Sequence, residues 1–344
     1  MSGPDFVVLT GFLGSGKTTL LRDVLARPEA ADTAVIVNEV GEIGLDAAIL
    51  REEGGPARMA MLANGCVCCQ LGSDLAATVD ALLHAARPGA AGPLRRIILE
   101  TSGLSRPGPV LRQLASLAEY RMRVSVVATF DALRGTATAD FAEAAAQWAA
   151  AHRIVLTKAD LVAAPRLAAA RAEAAGLNPL AEIVATADRA AAVAGAFASL
   201  APAPGRAPAL PAAATPHPRI AVHLARPAGL PAYDDVATWL DNLAGALGER
   251  LLRLKGLVRV AGSAHPLLVQ SVGTLFSPPR PFRDPGSAEA AFLVVITRDA
   301  GPEEIAAVAP AGLFALAGRG GAALAPPRGP LLARAEAVEG PGPR

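Results

Sequence analysis

The segment Gly11-Phe12-Leu13-Gly14-Ser15-Gly16-Lys17-Thr18 constrains the fold of this 344-residue chain more than any other stretch. It matches G-x-x-x-x-G-K-[ST], follows the apolar run FVVLT at 6–10, and precedes a segment with helical spacing at Leu20, Leu21, Val24 and Leu25. Strand, glycine-rich turn and helix in that order are the setting in which this motif holds phosphate. The glycines let backbone N–H groups turn inward as an anion nest, and the helix N-terminus adds its partial positive charge. In that arrangement Lys17 reaches the β- and γ-phosphates and Thr18 offers its hydroxyl to Mg²⁺. Gly11, Gly14, Ser15, Gly16, Lys17 and Thr18 are therefore the predicted phosphate and magnesium contacts.

More apolar runs follow at 34–38 (AVIVN), 96–100 (RIILE), 124–130 (VSVVATF), 153–157 (RIVLT) and 181–186 (AEIVAT), separated by alanine-rich helical patterns. Continuous rather than alternating apolar strands, each followed by a helix, predict an α/β fold, a P-loop NTPase domain with a largely parallel, doubly wound sheet over residues 1–200. Proline every few residues at 201–218 reads as an extended linker. Residues 219–317 then predict a small α+β domain: a strand at 219–225, a helix at about 233–253, strands near 256–261, 266–276 and 291–297, and a short helix from about Glu303. The Ala/Pro/Gly-rich stretch 318–344 is expected to be mostly disordered.

Composition narrows the partners. A formal charge of +1 gives no reason to expect nucleic acid or an anionic membrane. No apolar run approaches the roughly 20 residues of a membrane span, and the N-terminus lacks a signal peptide's basic start, so a cytoplasmic protein is expected. Of 32 basic residues only Lys17, Lys158 and Lys255 are lysines, so each lysine calls for a specific reason.

Glu100 closes an apolar strand and is followed by Thr101-Ser102-Gly103, where a P-loop protein sets its second acid near Mg²⁺ and the γ-phosphate. Lys17, Thr18, Glu100 and Gly103 are the predicted catalytic group. Thr157-Lys158-Ala159-Asp160 puts a second lysine just beyond a strand. Asp160 can accept from the guanine N1–H and exocyclic amine together while the Lys158 stem packs on the ring, which predicts GTP rather than ATP.

The three cysteines, Cys66, Cys68 and Cys69, fall within four positions, an odd clustered set that is no disulfide framework. Their thiolates suit a borderline or soft transition metal, but one short segment cannot close a tetrahedral site. Glu39 or Glu42 completes the shell in this reading. Zn²⁺, Co²⁺, Ni²⁺ and Cu⁺ all suit such ligands. The five histidines are scattered without metal-ligand spacing and read as ordinary surface or core.

On these residues the chain resembles the CobW-type GTPases, metallochaperones of the P-loop group that includes the urease and hydrogenase nickel-accessory GTPases. The segments that carry the resemblance are TGFLGSGKTTLL at 10–21, VIVNEVGEIGLD at 35–46, NGCVCC at 64–69, ETSGLSRPGPV at 100–110, LTKAD at 156–160, ERLLRLKGLVRVAG at 249–262 and VQSVGTLFSPPRPF at 269–282. Lys255 falls in that family's lysine-glycine signature. The resemblance implies a protein that binds Mg²⁺-GTP, with Thr19 among the phosphate and magnesium contacts, together with a transition metal, zinc the first choice and cobalt the close second, and releases the metal to a client metalloenzyme or metal-insertion complex on slow GTP hydrolysis. Thr157 stands where GTP-binding proteins commonly carry Asn, and no obvious arginine finger is present, although Arg106 can approach the phosphates. Two other readings are carried beside it, a GTPase gatekeeper without metal cargo and a small-molecule kinase, and a homo-oligomer is left open.

Overall fold

The computed structural model describes residues 3–37, 58–61, 72–84, 93–199, 217–283, 291–310 and 312–319. In the first half, β1 (Asp5–Thr10), α1 (Lys17–Leu25), β2 (Thr33–Val37), β3 (Arg58–Met61), α2 (Gly72–His84), β4 (Arg96–Glu100), α3 (Pro107–Ala115), β5 (Arg123–Asp131), α4 (Ala142–Ala150), β6 (Arg153–Thr157), α5 (Ala164–Leu177), β7 (Glu182–Val184) and α6 (Arg189–Phe197) alternate along the chain. The strands form one sheet in the order β3-β2-β4-β1-β5-β6-β7, and every pairing in it is parallel. The inner strands are buried on both faces because helices cover both, which is why they read as unbroken apolar runs. One core joins β1, β2 and β4 to α1 and α6; another joins the opposite face to α2 and α3. The short strand β3 was not among the predicted strands; four residues give too little pattern to read.

The second half holds β8 (Ile220–Pro227), α7 (Tyr233–Leu247), β9 (Leu251–Val258), β10 (Leu267–Val272), β11 (Leu275–Pro281), β12 (Phe292–Arg298), α8 (Pro302–Ala307) and β13 (Phe314–Arg319). These strands make an antiparallel sheet in the order β11-β10-β9-β12-β8-β13. The helix predicted to 253 stops at Leu247, because Gly248 takes φ 51°, and Leu251 already belongs to a strand. β9 lies between β10 and β12 and is buried on both faces, so its leucines mimic a helical period. The stretch 266–276 is a hairpin rather than one strand, turning at Gly273 and Thr274 between the paired Val272 and Leu275. Pro278, Pro279 and Pro281 are tolerated because β11 is an edge strand. Gly318 and Arg319 end β13, so the stretch expected to be disordered begins inside a strand; 320–344 lies outside the described residues, as does 201–216 of the expected linker.

One face of this sheet packs on α4 and α5 of the first half: Val222, Leu224, Leu252, Val294 and Ile296 share a core with Ala145, Trp148, Ala149 and Ala174. Polar ties cross the same boundary. Arg219, held by Asp299 of its own half at 2.5 Å, donates across to the Asp140 carbonyl at 3.2 Å, and Arg298 donates to the same carbonyl at 2.8 Å. On the other face, Trp239, Leu243 and Leu247 of α7 pack over Leu254, Val258 and Val295. Among the described residues no helix is long and apolar enough to cross a membrane.

Candidate functional site

The carboxyl ends of the parallel strands converge on the phosphate loop. Gly16 takes φ 89° as the N-cap of α1, and a Cβ there would sit 3.2 Å from the Thr157 Cβ. Both conditions favour glycine. No side chain caps α1 and no acid lies in its first turn, so its leading amides are left for an anion. Lys17 is 9% exposed, and its Nζ donates to the Gly11 carbonyl at 2.8 Å and the Phe12 carbonyl at 3.3 Å, which holds the amine in the mouth of the loop. Ser15 Oγ and Thr129 Oγ1 share a hydrogen bond of 2.6 Å, so the Ser15 hydroxyl ties the loop to β5.

Thr18 Oγ1 donates to Glu100 Oε1 at 2.9 Å. The structure thus brings together the hydroxyl and the buried carboxylate that the sequence paired across 82 positions. Beyond Glu100, the Thr101 amide donates to the Leu9 carbonyl at 2.9 Å, and Gln147 Nε2 donates to the carbonyls of Gly103 and Ser105 at 3.0 and 2.9 Å. Those bonds hold Gly103 against Leu13. A Cβ on Gly103 would lie 2.6 Å from Leu13 Cδ2 and 2.8 Å from the Leu13 amide nitrogen.

On the other side of α1 a cleft of about 210 Å³ is lined by Thr19, Leu20, Lys158, Asp160, Thr186 and Ala187 among others. Asp160 has no protein hydrogen-bond partner among the described residues, which leaves its carboxylate for a ligand's donors. Lys158 adopts φ 54°, a left-handed conformation unusual for a non-glycine residue. It is held there by a 2.6 Å ion pair with Asp131 Oδ2, while Asp131 Oδ1 accepts from the Leu133 amide at 2.9 Å. Thr157 Oγ1 donates to the Ser15 carbonyl at 2.7 Å. A threonine at this position therefore ties the loop after β6 to the phosphate loop through its own hydroxyl.

Residues 5–185 match the family described as "CobW/HypB/UreG, nucleotide-binding domain", and residues 223–308 match "Cobalamin synthesis protein cobW C-terminal domain". The chain belongs to the CobW/HypB/UreG family. Its relatives include the Pseudomonas aeruginosa protein named zinc chaperone CobW, 31% identical over 325 residues that cover 78% of this chain and 80% of that protein. The Escherichia coli protein named zinc chaperone YjiA is 35% identical over 160 residues, 45% of this chain and 49% of its own length. The crystal structure of a zinc-bound triple mutant of the YjiA GTPase matches with a TM-score of 0.62 at 25% identity, covering 89% of this chain and 98% of that one. This CobW-family chain is a P-loop GTPase.

Glu39, Glu42, Cys66, Cys68 and Cys69, the predicted transition-metal ligands, lie outside the described residues. Arg106 does not approach the phosphate loop; it pairs with Glu143 at 3.1 Å and Glu249 at 2.8 Å and so bridges the two halves of the protein. Among the described residues the arginine that meets the loop is Arg134, whose Nη1 donates to the Leu13 carbonyl at 3.4 Å. Asp131 was missed although it closes an apolar strand as Glu100 does, a signal that would have found it. Gln147 had no such signal, since only tertiary contact brings an alanine-rich helix onto the Gly103 loop.

Proposed function

We propose that this CobW-family GTPase is a GTP-dependent metallochaperone that carries zinc on Cys66, Cys68 and Cys69 with Glu39 or Glu42 and hands it to a client protein. One observation carries the coupling. β3, β2 and β4 are adjacent in the sheet, with Val37 paired to both Met61 and Glu100. β2 ends one strand and β3 two strands from Glu100 at the same edge of the sheet, and the two candidate ligand segments follow these strand ends in the sequence. Neighbouring strands lie about 4.8 Å apart. The naming of relatives as zinc chaperones favours zinc over cobalt as cargo.

In this reading the α1 amides and Lys17 bind the phosphates, and Asp160 with the Lys158 stem selects guanine. Thr18 and Glu100 fit Mg²⁺, since the pair presents hard oxygen donors 2.9 Å apart. When bound, the ion neutralises charge that develops between the β- and γ-phosphates. The Gly103 amide, held by Gln147 against Leu13, reports the γ-phosphate to the segment ending at Arg106. Arg106 carries that change to Glu249 of the second half.

The test is a competition titration of Zn²⁺ and Co²⁺ into the reduced protein with Mg²⁺ and a non-hydrolysable GTP analogue, repeated with GDP and with all three cysteines changed to Ser. Stoichiometric zinc binding, at least tenfold weaker with GDP and lost in the serine variant, is the expected result. By linkage, zinc must tighten binding of the GTP analogue by the same factor. Weak binding indifferent to nucleotide overturns the cargo reading and leaves a GTPase gatekeeper.

A further inference from the structure

Two of the three lysines are accounted for by the nucleotide site; Lys255 is not. It stands on β9 beside Gly256, and the glycine has a structural reason: a Cβ there would lie 2.0 Å from the Phe292 carbonyl oxygen, so only glycine lets β9 and β12 pair. The lysine has no such explanation. Its cross-strand partners are Gln270 and Val294, and Val294 packs on the first half, which puts Lys255 on the sheet face turned toward that half. Among the described residues it makes no hydrogen bond or ion pair.

Its neighbours are donors as well. Arg253, two residues back on the same face, is 3% exposed; one nitrogen donates to the Ala150 carbonyl and its Nε has no partner among the described residues. His152, just before β6, accepts from the Val126 amide through Nδ1 at 3.1 Å, which leaves the ring proton on Nε2. Burial, then the charges of Arg253 and Lys255, push the His152 pKa well below its ordinary value, so the ring is neutral. Arg280 adds a further charge from β11. Burial lowers Arg253 to about 10, and burial followed by Arg253 and Arg280 lowers Lys255 to about 8; among the described residues no carboxylate opposes either shift. Withdrawing cations from water without a counter-ion is strongly unfavourable.

We propose that Lys255, Arg253, Arg280 and His152 Nε2 form a binding site for a small oxyanion, a phosphate or carboxylate group, between the second sheet and the start of β6. An oxyanion supplies the acceptors that this set of donors lacks. The depth of Arg253 and the half-burial of Lys255 admit a small group rather than a folded surface, with exposed Arg280 at the rim. The site is separate from the nucleotide cleft: His152 precedes β6 and Thr157 ends it, about 16 Å apart at strand rise. The proposal does not depend on the zinc reading.

Calorimetric titration of the full chain, loaded with Mg²⁺ and a non-hydrolysable GTP analogue to keep phosphate out of the loop, tests it. Inorganic phosphate and acetate are the separate probes, with potassium chloride at matched ionic strength as the blank. Saturable binding of one anion per chain is expected, weakened at least tenfold by Lys255→Met and several-fold by Arg280→Gln. The preferred probe identifies the group as phosphate or carboxylate. Arg280 is exposed, so its variant remains informative should Lys255→Met not fold. Absence of saturable binding by both probes, or equal binding by wild type and the variants, overturns the proposal.

Discussion

His223 lies wholly buried on β8, its Nε2 2.9 Å from Thr297 Oγ1. Thr297 donates its own proton to the Ala300 carbonyl at 2.8 Å, so the histidine donates through Nε2 and keeps Nδ1 unprotonated. Nδ1 is buried with no partner among the described residues, and charging the ring would place a second proton there. Burial accordingly pushes the pKa from 6.5 to about 4. Between those values the unfolded chain binds the proton that the folded protein refuses, so stability falls as pH drops from about 6.5 toward 4 and is unaffected by this group above that window. At about 1.4 kcal/mol per unit, moving from pH 7 to pH 5 costs about 2 kcal/mol. His223→Gln keeps a donor for Thr297 and removes the titration. Urea unfolding can be followed by fluorescence, since Trp239 lies in the core that this face of the sheet helps build. The wild type is expected to lose about 2 kcal/mol more than the variant between the two pH values, a midpoint difference of about 1 M urea. Other titrating groups, His152 included, are common to both proteins and cancel. Parallel losses in the two proteins would refute the claim that burial of His223 controls this part of the acid response.

Three further outcomes follow from the nucleotide site. Asp160→Asn should weaken GTP binding about 100-fold, because two charge-assisted hydrogen bonds are lost, and should raise relative affinity for xanthosine triphosphate, whose C2 carbonyl accepts from the new amide; unchanged base preference in a competition assay counts against the assignment. Gly103→Ala puts a methyl 2.6 Å from Leu13 Cδ2 and 2.8 Å from the Leu13 backbone nitrogen, so GTP turnover should fall at least tenfold while GDP affinity stays within about threefold. Asp131→Ala removes the carboxylate 2.6 Å from Lys158 Nζ, and release of a fluorescent GDP analogue should accelerate by about tenfold as Lys158 leaves its left-handed conformation.

What the sequence determined by itself was set by local chemistry. A phosphate loop works through consecutive backbone amides and one lysine, so Gly11 to Thr18 could be read without a fold. Strands buried on both faces are apolar throughout, so the parallel sheet was legible as well, and Glu100 and Asp160 stood out as acids beyond such strands. The tertiary structure decided what depends on contact between distant segments. It put Gln147 on the Gly103 loop, gave Lys158 its ion pair with Asp131, and turned Arg106 away from the phosphates toward Glu143 and Glu249. It also separated Lys255 from Gly256 in meaning: the glycine serves strand pairing, whereas the lysine stands among buried donors. A side chain's charge is written in the sequence, but whether that charge meets a counter-ion depends on which strands become neighbours, and long-range packing alone decides that.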